Sequence, residues 1–375
     1  KAVIRRAQRI AMKIKNVYDT IFSMENMYHA LEKATEGRRY QADVLAFNYD
    51  AWGNLQELRW TILSGKYHIE KYHIFYIHEP KLRMIMSIEF RHRVVQWAIY
   101  RVLNPMLVKG YIQDSYGCIP GRGPLDAMLR LKSWTEQVSR KEDGSSWYYL
   151  KLDISKYFYR VSHRILKNIL ARKIKDARLL AVLYGIIDCP HTPFGLPRGA
   201  APEEVPLEQR LYDVGMPIGN LLSQMFANIY LNELDQFCKR VLKIRYYVRY
   251  MDDIVILHNS KEELRVWKDR IECFLLEVLE LDLNRKTCIR PIGQGIEFVG
   301  YRVWPHHANI RKSTTLSIKR NLKGVQHRYR VGKIPLPRAL STIKGYVGML
   351  QKVDSQELID KICAETVLVR AEEAT

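Results

Sequence analysis

An α+β fold with a mostly antiparallel sheet is what the sequence predicts, on three observations. Two β-rich runs, Tyr246-Tyr247-Val248-Arg249 and Ile254-Val255-Ile256-Leu257, meet across the short interruption Tyr250-Met251-Asp252-Asp253. That pattern indicates a hairpin whose tip carries two aspartates. A further apolar run, Tyr148 to Leu152, delivers Asp153 at its end in the same way. On either side of these runs, long stretches space their apolar residues at helical intervals. The chain has 375 residues, a length expected to divide into several lobes.

Taken in order, residues 1–70 read as helices with Tyr28, Leu31, Trp52, Leu55, Leu58 and Ile62 as core positions, broken at Glu36-Gly37 and Ser64-Gly65. Tyr72 to Ile85 alternates like a strand pair around Glu79-Pro80-Lys81-Leu82-Arg83, and Arg91-His92-Arg93 opens a helix with an apolar face. The turn-rich stretch Asp114 to Gly123, which includes Arg122, reads as a loop before a helix from Pro124 to Val138. It lacks the Gly-Lys-Ser/Thr ending of a P-loop, and no clear strand precedes it. Lys141 to Ser146 reads as a solvated connection into the first acidic strand. Ser162 then stands at a helix N-cap position, with Ile165, Leu166, Ile169 and Leu170 as a buried stripe. Residues 187–214 read as a long loop with no assigned role. Gly215-Met216-Pro217-Ile218-Gly219-Asn220 forms a rigid entry to a helix bearing Leu222, Phe226 and Ile229, and another helix runs from Lys261 to Leu279.

Adjacent aspartates at a hairpin tip repel one another, an arrangement a multivalent cation relieves. Magnesium suits it, because it prefers hard oxygens, uses one or two carboxylates and leaves positions open for water and phosphate. With Asp153 as a third carboxylate, two ions about 3.5–4 Å apart can assist an in-line phosphoryl transfer. An Asp-Asp pair alone is more often a solvated turn, and the strands on both sides together with the earlier strand-end Asp153 decide against that reading.

The net charge of +20 calls for a polyanionic partner, with a membrane surface as the alternative. No apolar run reaches the roughly 18 residues needed to span a bilayer, so a protein without a membrane anchor is expected. Cys118, Cys189, Cys238, Cys273, Cys288 and Cys363 show no CxxC spacing, which fits a reducing, cytoplasmic setting better than zinc or disulfides. The chain opens at Lys1 with neither Met nor a signal-peptide pattern, so further residues are expected upstream. Phe298 to Val353 contains no Asp or Glu while Lys and Arg recur throughout, Arg328 and Arg330 among them. Folding alone does not require such a bias, whereas lying along a duplex with about one charge per 1.7 Å of axis does.

On the strand-end Asp153 and the Tyr250-Met251-Asp252-Asp253 hairpin, the chain resembles reverse transcriptases over most of its length. The resemblance implies a right-hand polymerase: fingers in residues 1–140, a palm in 141–305 with inserted elements about 160–214, and a basic helical thumb in 306–375. It implies RNA-templated DNA synthesis from dNTPs with two magnesium ions on Asp153, Asp252 and Asp253. Lys81 and Arg83 would grip the triphosphate, unless they are turn residues on a basic surface. Tyr157 and Phe158 would line the nucleotide, Phe158 as the wall against a 2′-hydroxyl, or else pack in the core. Lys286 would protonate the leaving pyrophosphate, or stand solvated. Arg91, Arg93 and Arg122 would meet template phosphates. Tyr250, Met251 and the turn Gly300-Tyr301-Arg302 would lie by the primer terminus, and Arg328 and Arg330 along the duplex.

Ile218-Gly219 and Ser223-Gln224, in Pro-Ile-Gly-Asn-x-x-Ser-Gln, resemble the enzymes of diversity-generating retroelements, where many relatives carry Gln-Gly and Ser-Pro. Ile218, Gly219 and Gln224 would then lie against the new base pair, with errors opposite template adenines, unless Ile218 is simply a packing residue. A small basic accessory protein and a dedicated structured RNA are the partners that subtype implies. Retron enzymes usually carry a Val-Thr-Gly element absent here. Other defence- or CRISPR-linked reverse transcriptases stay open, as does a non-catalytic RNA-binding scaffold.

Overall fold

The computed structural model describes residues 13–70, 72–77, 83–141, 146–189 and 191–370. At its centre is a five-stranded sheet in the order β3-β5-β6-β4-β7, formed by β3 (Ser115–Tyr116), β4 (Tyr148–Asp153), β5 (Tyr246–Tyr250), β6 (Asp253–His258) and β7 (Cys288–Pro291). All neighbours are antiparallel except β3, which runs parallel to β5. The stretch read as a loop from Asp114 to Gly123 therefore contributes an edge strand. Its two-residue length explains why no periodicity announced it.

Both faces of this sheet are covered, which is why its strands read as continuous apolar runs rather than alternating ones. Leu150, Leu152, Tyr247, Ile254 and Ile256 enter one core with the helices Leu221–Gln236 and Lys261–Val278. Tyr149, Tyr246, Val248, Val255 and Leu257 enter a second core against the helix Pro124–Ser139 and the small sheet of β8 (Ile296–Phe298), β9 (Tyr301–Val303) and β10 (Ala308–Ile310). Odd and even positions of each strand thus serve different cores, as the two-residue period of a strand requires.

The first core extends to the N-terminal helices Met24–Thr35 and Ala51–Leu63, capped by the Ser23 and Asp50 side chains, and to the helix Phe90–Val108. Leu31, Leu55, Leu58 and Ile62 are buried as expected, but Tyr28 and Trp52 are 49% and 57% exposed. Met27, Leu31 and Ala34 form the inward stripe, and Tyr28 sits one residue, about 100°, round from it. Ser162 occupies an N-cap position, yet its side chain makes no capping hydrogen bond. The next helix, Ala177–Asp188, is capped by Asp176, which accepts from the Leu179 amide.

β1 (His73–Ile77) and β2 (Arg83–Ser87) form a separate antiparallel ribbon, so the expected strand pair is present. Residues 191–214 are largely without regular structure but not loose. Gly195 pairs with Leu211, and Arg210 is buried while donating to the Val205 and Pro202 carbonyls. Beyond β10, the acid-poor segment folds into the helices Lys312–Arg330 and Leu336–Leu350, followed by Gln356–Glu365. All six cysteines are free. Among the described residues no helix is long and apolar enough to cross a membrane.

Candidate active site

The site is built where β4 ends and β6 begins. The register pairs Asp153 directly with Asp253 across the two strands, and Tyr250 of β5 with the same Asp253. Met251 and Asp252 form the tip between β5 and β6, with Met251 in the left-handed region at φ 52°. Strand parity places Lys151, Asp153 and Asp253 on the face of the second core. Lys151 uses that position: its Nζ lies 3.2 Å from Asp253 Oδ1 and donates to Oδ2 at 3.3 Å, while also donating to the Glu297 carbonyl.

Asp253 is the electrostatic focus. Burial pushes its pKa up to about 6, the lysine opposes that rise, and the neighbouring Asp252 and Asp153 charges add to it. Its Oδ1 is buried and makes no hydrogen bond. It stands 3.2 Å from the Lys151 ammonium and beside neighbouring carboxylates, and it is the kind of hard oxygen that magnesium prefers. Among the described residues, no group of three or more His, Cys, Asp or Glu side chains is placed to hold a metal ion.

Backbone hydrogen bonds link several of the expected nucleotide residues to one another and to β2. The Met216 amide donates to the Phe158 carbonyl at 2.7 Å, and the Met86 amide of β2 donates to the Ile218 carbonyl at 3.0 Å. The turn before the helix Leu221–Gln236 is thus stitched to Phe158 on one side and to the β1-β2 ribbon on the other. Phe158 and Ile218 are half-buried against the first core. Gly219 has φ 111°, and a Cβ there would meet Ile85 Cγ2 at 3.0 Å, so glycine is needed for that close approach. Gln224 is half-buried on the first turn of the helix. Lys81 lies outside the described residues, and of Arg83 only its place at the start of β2 is described. The segment before Lys286 reaches Asp153: the Asn284 amide donates to the Asp153 carbonyl at 2.7 Å, and the Ser155 amide to the Asp282 carbonyl at 2.8 Å. Lys286 itself is exposed.

Several residues expected to meet nucleic acid or nucleotide make internal contacts. Tyr157 is buried and its hydroxyl donates to the Ala227 carbonyl at 2.6 Å, which ties it to the helix Leu221–Gln236. The Arg122 guanidinium donates to the carbonyls of Ile112, Gln113 and Ser115 and so holds its own loop. Arg302 donates to the Gln294 carbonyl and lies over the Trp304 ring, while Tyr301 is buried in the second core. Arg91 Nη2 stands 3.6 Å from Glu57, and burial lowers the Arg93 pKa. Met251 is buried with its side chain against Gly117. Tyr250 is half-buried, whereas Arg328 and Arg330 are exposed on the helix Lys312–Arg330. Gly300, at φ 89°, accepts from the Thr314 hydroxyl through its carbonyl.

The sequence reading missed Lys151, Arg249, Asp235 and Asn228. Lys151 was recoverable, since two residues before Asp153 on a strand means the same face. Arg249 left a weaker signal: an arginine inside an apolar strand needs a buried counter-charge. Nothing local marked Asp235 as that partner.

A mixed helix-and-sheet protein with an acidic hairpin at the end of its antiparallel sheet is consistent with an α+β polymerase fold. Residues 70–303 match the family model described as reverse transcriptase (RNA-dependent DNA polymerase). The chain belongs to that family and is an RNA-directed DNA polymerase. It is 28% identical over 284 residues to the protein YkfC of Escherichia coli, covering 66% of this chain and 71% of YkfC. It is 22% identical over 333 residues to the group II intron-encoded protein LtrA of Lactococcus lactis, covering 70% of this chain but 52%, about half, of LtrA.

Proposed function

We propose that the chain copies RNA into DNA at the carboxylates Asp153, Asp252 and Asp253, which would hold two magnesium ions. The observation that carries this reading is the cross-strand pairing of Asp153 with Asp253, together with the buried Asp253 Oδ1 that makes no hydrogen bond. Bound there, magnesium would supply Lewis-acid activation of the attacking 3′-oxygen and neutralise the charge on the phosphates. Phe158 limits the room beside the sugar, the turn at Ile218 supports the new pair, and Lys286 can give a proton to the departing pyrophosphate. Residues 1–140 act as fingers, 141–305 as palm and 306–375 as a thumb on the template-primer duplex. In a primed-RNA extension with dNTPs and magnesium, Asp252→Asn is expected to abolish synthesis while duplex affinity stays near that of the unaltered chain. Substantial extension by that variant overturns the assignment.

Within the family, two subtypes have separate support. The Ile218-Gly219 and Ser223-Gln224 signature favours an error-prone enzyme of a diversity-generating retroelement, working with a small basic accessory protein and a structured RNA. A β-branched alkyl group at 218 offers packing where glutamine would offer hydrogen bonds, and ~1.4 kcal/mol of lost discrimination is tenfold in error rate. The similarity to LtrA favours an intron-type enzyme instead. Sequencing cDNA from a defined RNA separates the two. The first subtype is expected to misincorporate opposite adenines and to do so less after Ile218→Gln, whereas an error spectrum without adenine bias selects the second.

A further inference from the structure

We propose that Arg249 is a positioning residue that aims the acidic tip of the hairpin by holding the Met251 carbonyl, and with it the peptide plane leading into Asp252. The proposal rests on Asp252 being a catalytic carboxylate. Parity turns Arg249 away from the acidic face and into the first core, beneath the tip. There its side chain and that of Asp235 are both fully buried.

A guanidinium has five N–H groups, and five acceptors surround this one. Nε donates to Asp235 Oδ1 at 2.8 Å, and Nη2 donates to Asp235 Oδ2 and to Ser115 Oγ, each at 2.7 Å. Nη1 donates to the Met251 carbonyl at 3.0 Å and to Asn228 Oδ1 at 3.2 Å. The four partner residues belong to three different pieces of the structure. Asp235 and Asn228 lie on the helix Leu221–Gln236, Ser115 on the edge strand β3, and Met251 at the hairpin tip.

The partners are themselves held. The Tyr247 hydroxyl donates to Asp235 Oδ1 at 2.7 Å, and Asn228 Nδ2 donates to the Gly117 carbonyl at 2.9 Å. The Met251 amide donates to the Tyr116 carbonyl at 3.2 Å, and a Cβ at Gly117 would stand 2.9 Å from Met251 Cγ. Met251 is therefore gripped at its amide, its side chain and its carbonyl. Its left-handed backbone, at φ 52°, is one that non-glycine residues adopt sparingly and that persists where the surroundings over-determine it. Fold stability alone does not call for such a device, because a buried ion pair can often be exchanged for apolar residues without loss. Holding one carbonyl oxygen in a fixed direction does call for it, and for the planar fork of arginine rather than the point charge of lysine.

Two variants test this on a DNA primer annealed to a defined RNA, with magnesium and one dNTP. In Arg249→Met with Asp235→Leu, no buried charge is left unpaired. In Arg249→Lys, the charge against Asp235 is kept but the fork that reaches Met251 is lost. Both are expected to stay folded and to bind the duplex with unchanged affinity, while kcat falls at least tenfold and the magnesium concentration for half-maximal rate rises. KM for the dNTP should move far less than kcat. Unchanged kcat and magnesium dependence in either folded variant overturns the proposal, as does failure of both to fold, which would make the pair a core element. Asp252→Asn assayed in parallel keeps the two readings apart. If it still synthesises DNA, the catalytic assignment has failed; if it is inactive while the Arg249 variants are not, positioning alone has failed.

Discussion

Asp253 combines two roles that pull against each other. Burial and two neighbouring carboxylates push its pKa up to about 6, so the charged form that chemistry needs costs more in the folded chain than in water. Replacing the carboxylate by an amide removes the charge that burial disfavours. Asp253→Asn is therefore expected to lose DNA synthesis but to melt, in magnesium-free buffer, no lower than the unaltered chain; a melting temperature several degrees lower would show that Lys151 needs that charge more than the core resents it. Phe158 invites a second test at the same scale. If its ring limits room beside the sugar, Phe158→Ala should raise rNTP incorporation relative to dNTP, and an unchanged ratio sends the ring back to the core. The three aspartates were legible because strand patterns bracket them. Lys151 and Arg249 were not seen, because their partners, Asp253 and Asp235, come close only once the sheet is paired and the helix Leu221–Gln236 is laid beneath it.

At the scale of elements, the helix Phe90–Val108 carries a buried histidine that makes the fold acid-sensitive. Burial lowers the His92 pKa to about 4, with the Arg91 and His68 charges adding to the effect, and its Nδ1 is 3.1 Å from the Tyr67 hydroxyl. In the unfolded chain the ring takes a proton near pH 6.5, so between that pH and about 4 the unfolded state binds more protons than the folded one. Stability is then lost as pH falls through that window, by up to about 3 kcal/mol from this residue. Urea titrations at pH 7 and pH 5 measure it, and His92→Gln should flatten the difference. Periodicity recovered the helices of the first 70 residues, the helix Lys261–Val278 and the β1-β2 ribbon, since each presents a stripe or alternation, but not the helix Ala177–Asp188. It gave no warning of β3, because two residues hold no period, nor of the order within residues 187–214, where Arg210 and carbonyl acceptors replace the apolar spacing that orders other segments.

For the whole molecule, the charge asymmetry is the feature with the widest reach. If the helices Lys312–Arg330 and Leu336–Leu350 lie along the duplex, replacing Arg328 and Arg330 by Ala should reduce the slope of log affinity against log salt by up to about 2, at roughly 0.7–0.9 for each phosphate no longer neutralised. An unchanged slope locates the duplex on another surface. The acid-free tract was plain in the sequence, whereas the covering of the central sheet on both faces was not, because a run such as Ile254-Val255-Ile256-Leu257 does not say which core takes which residue. From Phe298 to Val353 the chain itself contains no Asp or Glu. A polymer held there chiefly by counterion release slips its grip as ions are added. The length of cDNA made in one encounter, and not the rate of each addition, is then the property that the ionic strength of the surroundings sets.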